Sequence, residues 1–258
     1  MAGVRVAVLA GGRGTRLAPY TSVLPKPLMP IGDRSILEIV VHRLAAQGLT
    51  DITLCVGYLS HLIRAVSQHL ESNGAEIGFV HEEDALGTAA PLRLIDGLDD
   101  TFVAMNGDIL TTLDFQDLVR HHRESDNVLT IATHRRTIKI DYGVLLVGPA
   151  EDDVPDGGRL PIVGFEEKPE IVSTVSMGIY VLEPRALEHI PSEAYFDFPD
   201  LVQALLAANE RVGAYFFDGL WFDIGRHDDY EQAVDAWLAD DEAVRRADDG
   251  ARVSGAFG

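Results

Sequence analysis

The chain has 258 residues, a formal charge of −20 and an apolar fraction of 47%. It is long enough for one large domain with a sizeable core, and too acidic for the basic footprint that a nucleic-acid partner requires. No apolar run approaches the ~18 residues of a membrane span, the N-terminus lacks a signal-peptide pattern, and the single cysteine, Cys55, excludes an internal disulfide framework, so a cytoplasmic protein with no membrane partner is expected.

Residues 4–10 read as a buried strand, apolar nearly throughout. It runs straight into GGRGTRL, residues 11–17. This turn is neither a P-loop, since no Gly-Lys pair exists in the chain, nor a dinucleotide fingerprint, since Leu17 stands where the last glycine belongs. Its glycines still let the backbone approach an anion, and Arg13 and Arg16 offer forked donors. A loop continues to about residue 33, with Pro19, Pro25, Pro27 and Pro30. Loops of about this length in a compact domain are usually functional. The prolines favour a defined path over disorder.

A helix follows over 35–47, starting near Asp33 or Ser35 and ending at Gly48. Strand 51–57, helix 60–72, strand 76–81, helix 88–97, strand 101–105 and helix 114–124 complete a βαβα half, which argues for a mostly parallel sheet with helices on both faces. Beyond residue 127 strands dominate, at 127–134, 142–147, 160–166, 174–182 and 212–217, with helices at 197–208 and 227–239. Residues 150–159 form a turn-rich surface excursion, and the tail after about 240 is polar. Cys55, within DITLCVG, reads as an inert strand residue.

Four segments fall where such a sheet presents them to one crevice, beyond the ends of its strands. Asn106-Gly107-Asp108 follows a strand, and a carboxylate there suits Mg²⁺ beside phosphates. HEEDALGTAAP, residues 81–91, places Thr88 as a helix N-cap with Pro91 in the first turn and free N–H groups at the helix start. VGFEEKPE, residues 163–170, carries Glu166, Glu167 and Lys168; LWFDIGRHDDY, residues 220–230, holds Asp223 between aromatics and Gly225, with Asp223 or Asp228 as a competing cap. Only three of the 21 basic residues are lysines, and two of them, Lys26 and Lys168, stand directly before proline. A chain that otherwise uses arginine keeps lysine where a compact point charge is needed. The histidines show no H-E-x-x-H spacing, and no nucleophile stands out.

LAGGRGTRLAPYTSVLPKPLMPIGDRSIL closely resembles the signature of sugar-1-phosphate nucleotidyltransferases. LGTAAP, NGD, DYGVL, FEEKP, MGIY and WFDIGRHDDY match later segments of that family in order, over roughly residues 4 to 238. The resemblance implies an α/β fold: a Rossmann-like, mostly parallel sheet sandwiched by helices, with an inserted β-rich sugar-binding portion. It divides one domain, 1–240, into a nucleotide-binding part to about 125, a sugar-binding part over 126–225 and a closing helix at 227–239. It implies transfer of a nucleotidyl group from an NTP to a sugar 1-phosphate, with Mg²⁺ as cofactor and release of pyrophosphate.

By the family pattern, Leu9, Gly11, Gly12, Gly14 and Thr15 wrap the nucleotide, Arg16 holds the departing pyrophosphate, and Lys26 bridges the phosphates of both substrates. Asp108 and Asp223 match the metal-binding acids. Tyr142, Gly143, Glu167 and Gly178 match sugar contacts, and Lys168 the residue that grips the sugar's phosphate. Glu82, Gly87 and Thr88 complete the nucleotide-binding set. Glu82 stands where thymidylyltransferases tend to carry glutamine. Guanine offers adjacent N1–H and 2-amino donors to a carboxylate, and thymine and uracil do not, so GTP is favoured, with dTTP, UTP and CTP as alternatives. A catalytically inactive, nucleotide-sugar-binding paralogue is the rival of another class; the presence of Arg16, Lys26, Asp108 and Asp223 counts against it. The resemblance admits a homo-oligomer, which nothing in the spacing shows. No hexapeptide repeats follow the last motif, so a C-terminal β-helix is not expected.

Overall fold

The computed structural model describes residues 3–70, 74–148, 161–192, 194–225 and 229–239. The 150–159 excursion, the first residues of the closing helix, Asp228 and the tail after 240 lie outside them.

In chain order the strands are β1 (Val6–Leu9), β2 (Pro30–Ile31), β3 (Arg34–Ser35), β4 (Asp51–Val56), β5 (Glu76–His81), β6 (Phe102–Asn106), β7 (Ile109–Thr111), β8 (Leu129–Lys139), β9 (Gly143–Val147), β10 (Ile162–Glu167), β11 (Glu170–Leu182), β12 (Val212–Phe216) and β13 (Trp221–Asp223). The helices are α1 (Ile36–Ala46), α2 (Ser60–Leu70), α3 (Phe115–Glu124), α4 (Phe198–Ala207) and α5 (229–239). Seven strands form one sheet in the order β12-β8-β11-β6-β1-β4-β5. β1 pairs in parallel with both β4 and β6, β4 with β5, and β8 with β12; β11 alone runs antiparallel, to β6 and β8. The expected sandwich is therefore present, and strands of both halves of the chain share its sheet.

Alternation along β1 shows why the sheet is covered twice. Val6 and Val8 face a core layer built by α1, α2, α3 and α5, whereas Ala7 faces a second layer built by α4 and residues 89–98. Packing rather than propensity holds these helices. Ser35 caps α1, its side chain accepting from the Glu38 N–H at 3.2 Å while the Glu38 carboxylate accepts from the Ser35 N–H at 3.3 Å. Such a cap contributes on the order of 1 kcal/mol. Ile36, Leu37, Ile39, Val40, Val41 and Leu44 are all buried on the same helix, and each burial stabilises by roughly 1.5–3 kcal/mol.

The long loop after β1 follows a defined path. Three 3₁₀ turns, Thr15–Leu17, Tyr20–Ser22 and Lys26–Leu28, punctuate it, and the Thr21 hydroxyl donates back to the Gly14 carbonyl at 2.9 Å. The helix expected over 88–97 is instead a five-residue 3₁₀ turn, Ala90–Leu94. Its N-cap is Ala89, without a side-chain cap, so Thr88 does not fill that role. The N–H groups of Thr88, Ala89 and Ala90, expected to be free, are all taken by residues 196 and 197.

β8 and β11 run past the rest of the sheet as a two-stranded ribbon. Pairing from Leu129↔Leu182 out to Lys139↔Glu170 passes into the β9–β10 pair, from Gly143↔Glu167 to Val147↔Ile162. Among the described helices none is long and apolar enough to cross a membrane.

Candidate active site

A cleft of about 380 Å³ opens beyond the C-terminal ends of β1, β5 and β6. Parallel α/β sheets bind ligands there, because strand ends and the turns after them leave backbone and side chains unpaired. The cleft has two ends of different character.

One end is charged. Gly14 lies in the left-handed region, at φ 60°. A Cβ there would stand 3.0 Å from the Thr21 methyl and 3.2 Å from the Lys26 Cβ, so glycine lets the turn close onto Lys26. Gly12 faces open space. Lys26, mostly buried, pairs with Asp108, whose carboxylate is delivered by the Asn106-Gly107-Asp108 turn after β6. Gly107 lets that turn press onto β1: its N–H donates to the Leu9 carbonyl at 2.8 Å, and a Cβ would meet that same oxygen at 3.0 Å. β7 and β13 then pair antiparallel with Asp223 opposite Ile109, which sets the two acids side by side. Burial raises the Asp223 pKa first and the neighbouring Asp108 charge raises it further, against the opposing pull of Lys26 and Arg16. Asp223 as a residue is exposed, yet its carboxyl is crowded enough within the cleft for desolvation to lead. The other Asp108 oxygen, Oδ1, is buried and accepts no hydrogen bond from the protein. Buried acceptors are nearly always satisfied, so this oxygen is set up for something the chain itself does not supply.

At the other end hydrogen bonds within the protein dominate. Gly87, at φ +94°, turns the chain after β5, and a Cβ there would lie 2.6 Å from the Phe196 carbonyl oxygen. Thr88 donates to Asp197 Oδ1 through both its N–H, at 2.8 Å, and its hydroxyl, at 2.9 Å. Glu82 leans over the glycine turn, where its carboxylate occupies the space a Gly11 side chain would need. Burial raises its pKa, against the Leu86 backbone N–H that it accepts.

The sequence-derived residues divide accordingly. Leu9, Gly11, Gly12, Gly14, Arg16, Lys26, Glu82, Gly87, Thr88, Asp108 and Asp223 line the cleft together. Thr15 opens the first 3₁₀ turn and does not line the cleft, and Arg13 lies over the Tyr58 ring, 5.7 Å from its centroid, rather than in the cleft. Tyr142, Gly143, Glu167 and Lys168 sit at the start of the β9–β10 ribbon and do not line the cleft: Lys168 takes a left-handed φ of 47° and donates its N–H to the Tyr142 carbonyl, and Tyr142 is 78% exposed. Gly178, at φ +73°, backs onto the cleft from behind, since a Cβ there would meet the Asn106 amide at 2.7 Å.

Sequence reasoning passed over Asn106, Tyr195 and Asp197 as site residues, though all three line the cleft. The only signal for Asp197 was its place before Phe198-Pro199 at the start of a helix, which reads as an ordinary cap. Cys55 is fully buried in β4, and burial, then the Glu82 charge, pushes its thiol pKa up to about 12, so it is inert as expected.

Residues 5–239 match the family model described as Nucleotidyl transferase. A UTP–glucose-1-phosphate uridylyltransferase of Synechocystis sp. is 32% identical over 251 residues, covering 90% of this chain and 62% of that protein. A mannose-1-phosphate guanyltransferase of Yarrowia lipolytica is 34% identical over 243 residues, covering 90% of this chain and 63% of that protein. The chain thus spans less than two thirds of the length of these relatives. Among solved structures, a putative glucose-1-phosphate thymidylyltransferase from Bacillus anthracis superposes with a TM-score of 0.68 at 21% identity, over 91% of this chain and 95% of that one, which supports the fold. With a family model spanning nearly its whole length and a sheet that matches, the chain belongs to the nucleotidyl transferase family.

Proposed function

We propose that the chain transfers a nucleotidyl group from an NTP to a sugar 1-phosphate and releases pyrophosphate. The observation that carries this reading is the charged end of the cleft, where Arg16, Lys26, Asp108 and Asp223 converge on the glycine turn. Two anionic substrates must meet for this reaction, and the cations there offset their repulsion. The sugar phosphate oxygen attacks the α-phosphorus in line with the departing pyrophosphate. Gly11, Gly12 and Gly14 bring backbone close to the phosphates, Arg16 receives charge on the departing group, and Lys26 spans the two substrates. Positioning and charge stabilisation suffice for such a transfer, and no covalent residue is needed.

Asp108 and Asp223 fit a Mg²⁺ ion. Two carboxylates plus phosphate oxygens suit its coordination, the unpaired buried Asp108 Oδ1 offers a ligand atom, and the mutual repulsion of the two acids is relieved by a cation between them. When bound, Mg²⁺ supplies charge neutralisation at the phosphates.

GTP is the favoured nucleotide. Glu82 stands in the cleft wall as a carboxylate able to accept two adjacent donors, and part of its capacity already steadies the turn at Leu86. A mannose-1-phosphate guanyltransferase among the relatives agrees with it; the uridylyltransferase keeps UTP as the second reading. Tyr142, Gly143, Glu167, Lys168 and Gly178 form the sugar-phosphate side, in the half of the chain after residue 125.

Pyrophosphate release over a grid tests this reading: GTP, dTTP, UTP, CTP and ATP against mannose, glucose, N-acetylglucosamine and heptose 1-phosphates, with Mg²⁺. One productive nucleotide row is expected, led by GTP. Folded protein that turns over no pair while still binding nucleotide overturns the transferase reading.

A further inference from the structure

We infer that Asp197 is a positioning residue for nucleotide binding: it holds the Gly87-Thr88 turn against the cleft by accepting from Thr88, and it meets no substrate through its charge. The inference rests on the functional reading above and adds a residue to it.

Asp197 stands at the first turn of α4, 109 residues after Thr88. Its Oδ1 accepts the Thr88 N–H and hydroxyl, and its Oδ2 accepts the Tyr195 hydroxyl at 2.8 Å. The Thr88 oxygen in turn accepts the Phe198 N–H at 3.0 Å. Around this core the backbone is stitched on both sides: the Phe196 carbonyl accepts from Ala89 at 3.0 Å and Ala90 at 3.1 Å, and the Phe196 N–H donates to the Leu86 carbonyl at 2.8 Å. Thr88 therefore has no hydroxyl hydrogen left for a ligand. Thr88 lines the cleft, and Asp197 fixes where its backbone lies.

The anchor is rigid. Phe198 is buried and stacks on Tyr180 of β11, with ring centroids 3.7 Å apart and planes 5° from parallel. A bare carboxylate facing a polyphosphate would repel it. Here three donors occupy the carboxylate. Asp197 thus shapes the Gly87-Thr88 turn without presenting a bare charge to the cleft.

The distinguishing experiment compares native protein with Asp197→Ala, Asp197→Asn and Thr88→Val, each checked for folding by thermal melting. It measures GTP, UTP and dTTP binding calorimetrically with Mg²⁺, and kcat and both KM values for the productive pair. Asp197→Ala is expected to weaken nucleotide binding about tenfold or more, the scale of lost hydrogen bonds to a charged group, with kcat and the sugar-phosphate KM little moved. Asp197→Asn keeps an Oδ1 that accepts twice and is expected to stay within about threefold of native. Thr88→Val loses the hydroxyl bonds but keeps the backbone one, and should fall between them. An Asn variant as poor as the Ala variant, or a loss confined to the sugar-phosphate KM, overturns the inference by giving Asp197 a direct electrostatic or sugar-binding role. Unchanged binding in Asp197→Ala overturns it while leaving the transferase reading intact. Native protein that binds none of the three nucleotides overturns both. Should Asp197→Ala fail to fold, the Asn and Val variants decide alone: Val weakened and Asn preserved sustains the inference, and any other pattern sinks it.

Discussion

The two ends of the cleft manage polar groups in opposite ways. At the charged end two acids crowd each other, one buried carboxylate oxygen has no partner, and a lysine is borrowed to hold the site together. At the other end nearly every donor and acceptor on Thr88, Phe196 and Asp197 is used internally. The first arrangement costs stability and leaves capacity for a ligand that brings charge. The second fixes a shape. Unsatisfied electrostatics mark where chemistry happens; satisfied hydrogen bonds mark where a surface must not move.

Mutations should separate the two ends by size and kind of effect. The largest loss is expected for Lys26→Ala and Asp108→Ala, which should lower kcat by about 100-fold or more without unfolding the protein, as removal of a preorganised charge does; turnover near native in either variant breaks the assignment. Next, Mg²⁺ should raise the melting temperature of the native protein by relieving the repulsion between Asp108 and Asp223. The shift should disappear in Asp223→Asn, and an equal shift in that variant places the ion elsewhere.

Glu82→Gln sharpens the comparison from the other end. Its effect should fall on nucleotide choice, reducing preference for GTP over UTP by about tenfold, and an unchanged ranking removes the argument for guanine. Its pH signature follows from the raised pKa. A carboxyl whose folded pKa lies above its unfolded value costs nothing while protonated in both states. The cost develops as pH rises through the unfolded value and is complete above the folded one. Glu82→Gln should therefore melt higher than native at pH 7, and the gain should vanish as pH falls below the ordinary carboxylate range. GTP binding by the native protein should weaken on the same descent, beginning above that range. The smallest effect is expected at Cys55, whose buried thiol should resist alkylation in the native protein at pH 8, with activity unchanged; rapid labelling would show that β4 opens.

Much of this was legible in the chain. The glycine turn, Lys26, the Asn106-Gly107-Asp108 turn and Asp223 were readable as candidates because each is a particular residue type within a short stretch, and the structure brings them to one cleft. Helix α1 was readable from apolar spacing and its Ser35–Glu38 cap, since both are local. The misreadings have a common cause. Residues 88–97 carry a helix-start pattern, but only the five-residue 3₁₀ turn Ala90–Leu94 forms, with the N–H groups of 88–90 bound to residues 196 and 197. β7 and β13 are three residues each and lie more than a hundred residues apart, too short to show a period and visible only once paired. Asp197 does stand at the N-cap of α4, and its bonds to Thr88, 109 residues away, have no local signal in the sequence.

The chain's local patterns specify the inventory: a mostly parallel α/β sheet, a glycine turn at its first strand, and the cations and acids that line the cleft. These follow from periodicity and residue chemistry, which act over a few neighbours. Only the tertiary structure decided which groups share the cleft and which remain free within it. It joined Thr88 to Asp197, set Asp108 beside Asp223, turned Arg13 away, and left the sugar-side residues on a ribbon outside the lining. Such pairings depend on strand order and on long-range packing, where no spacing along the chain encodes a distance in space.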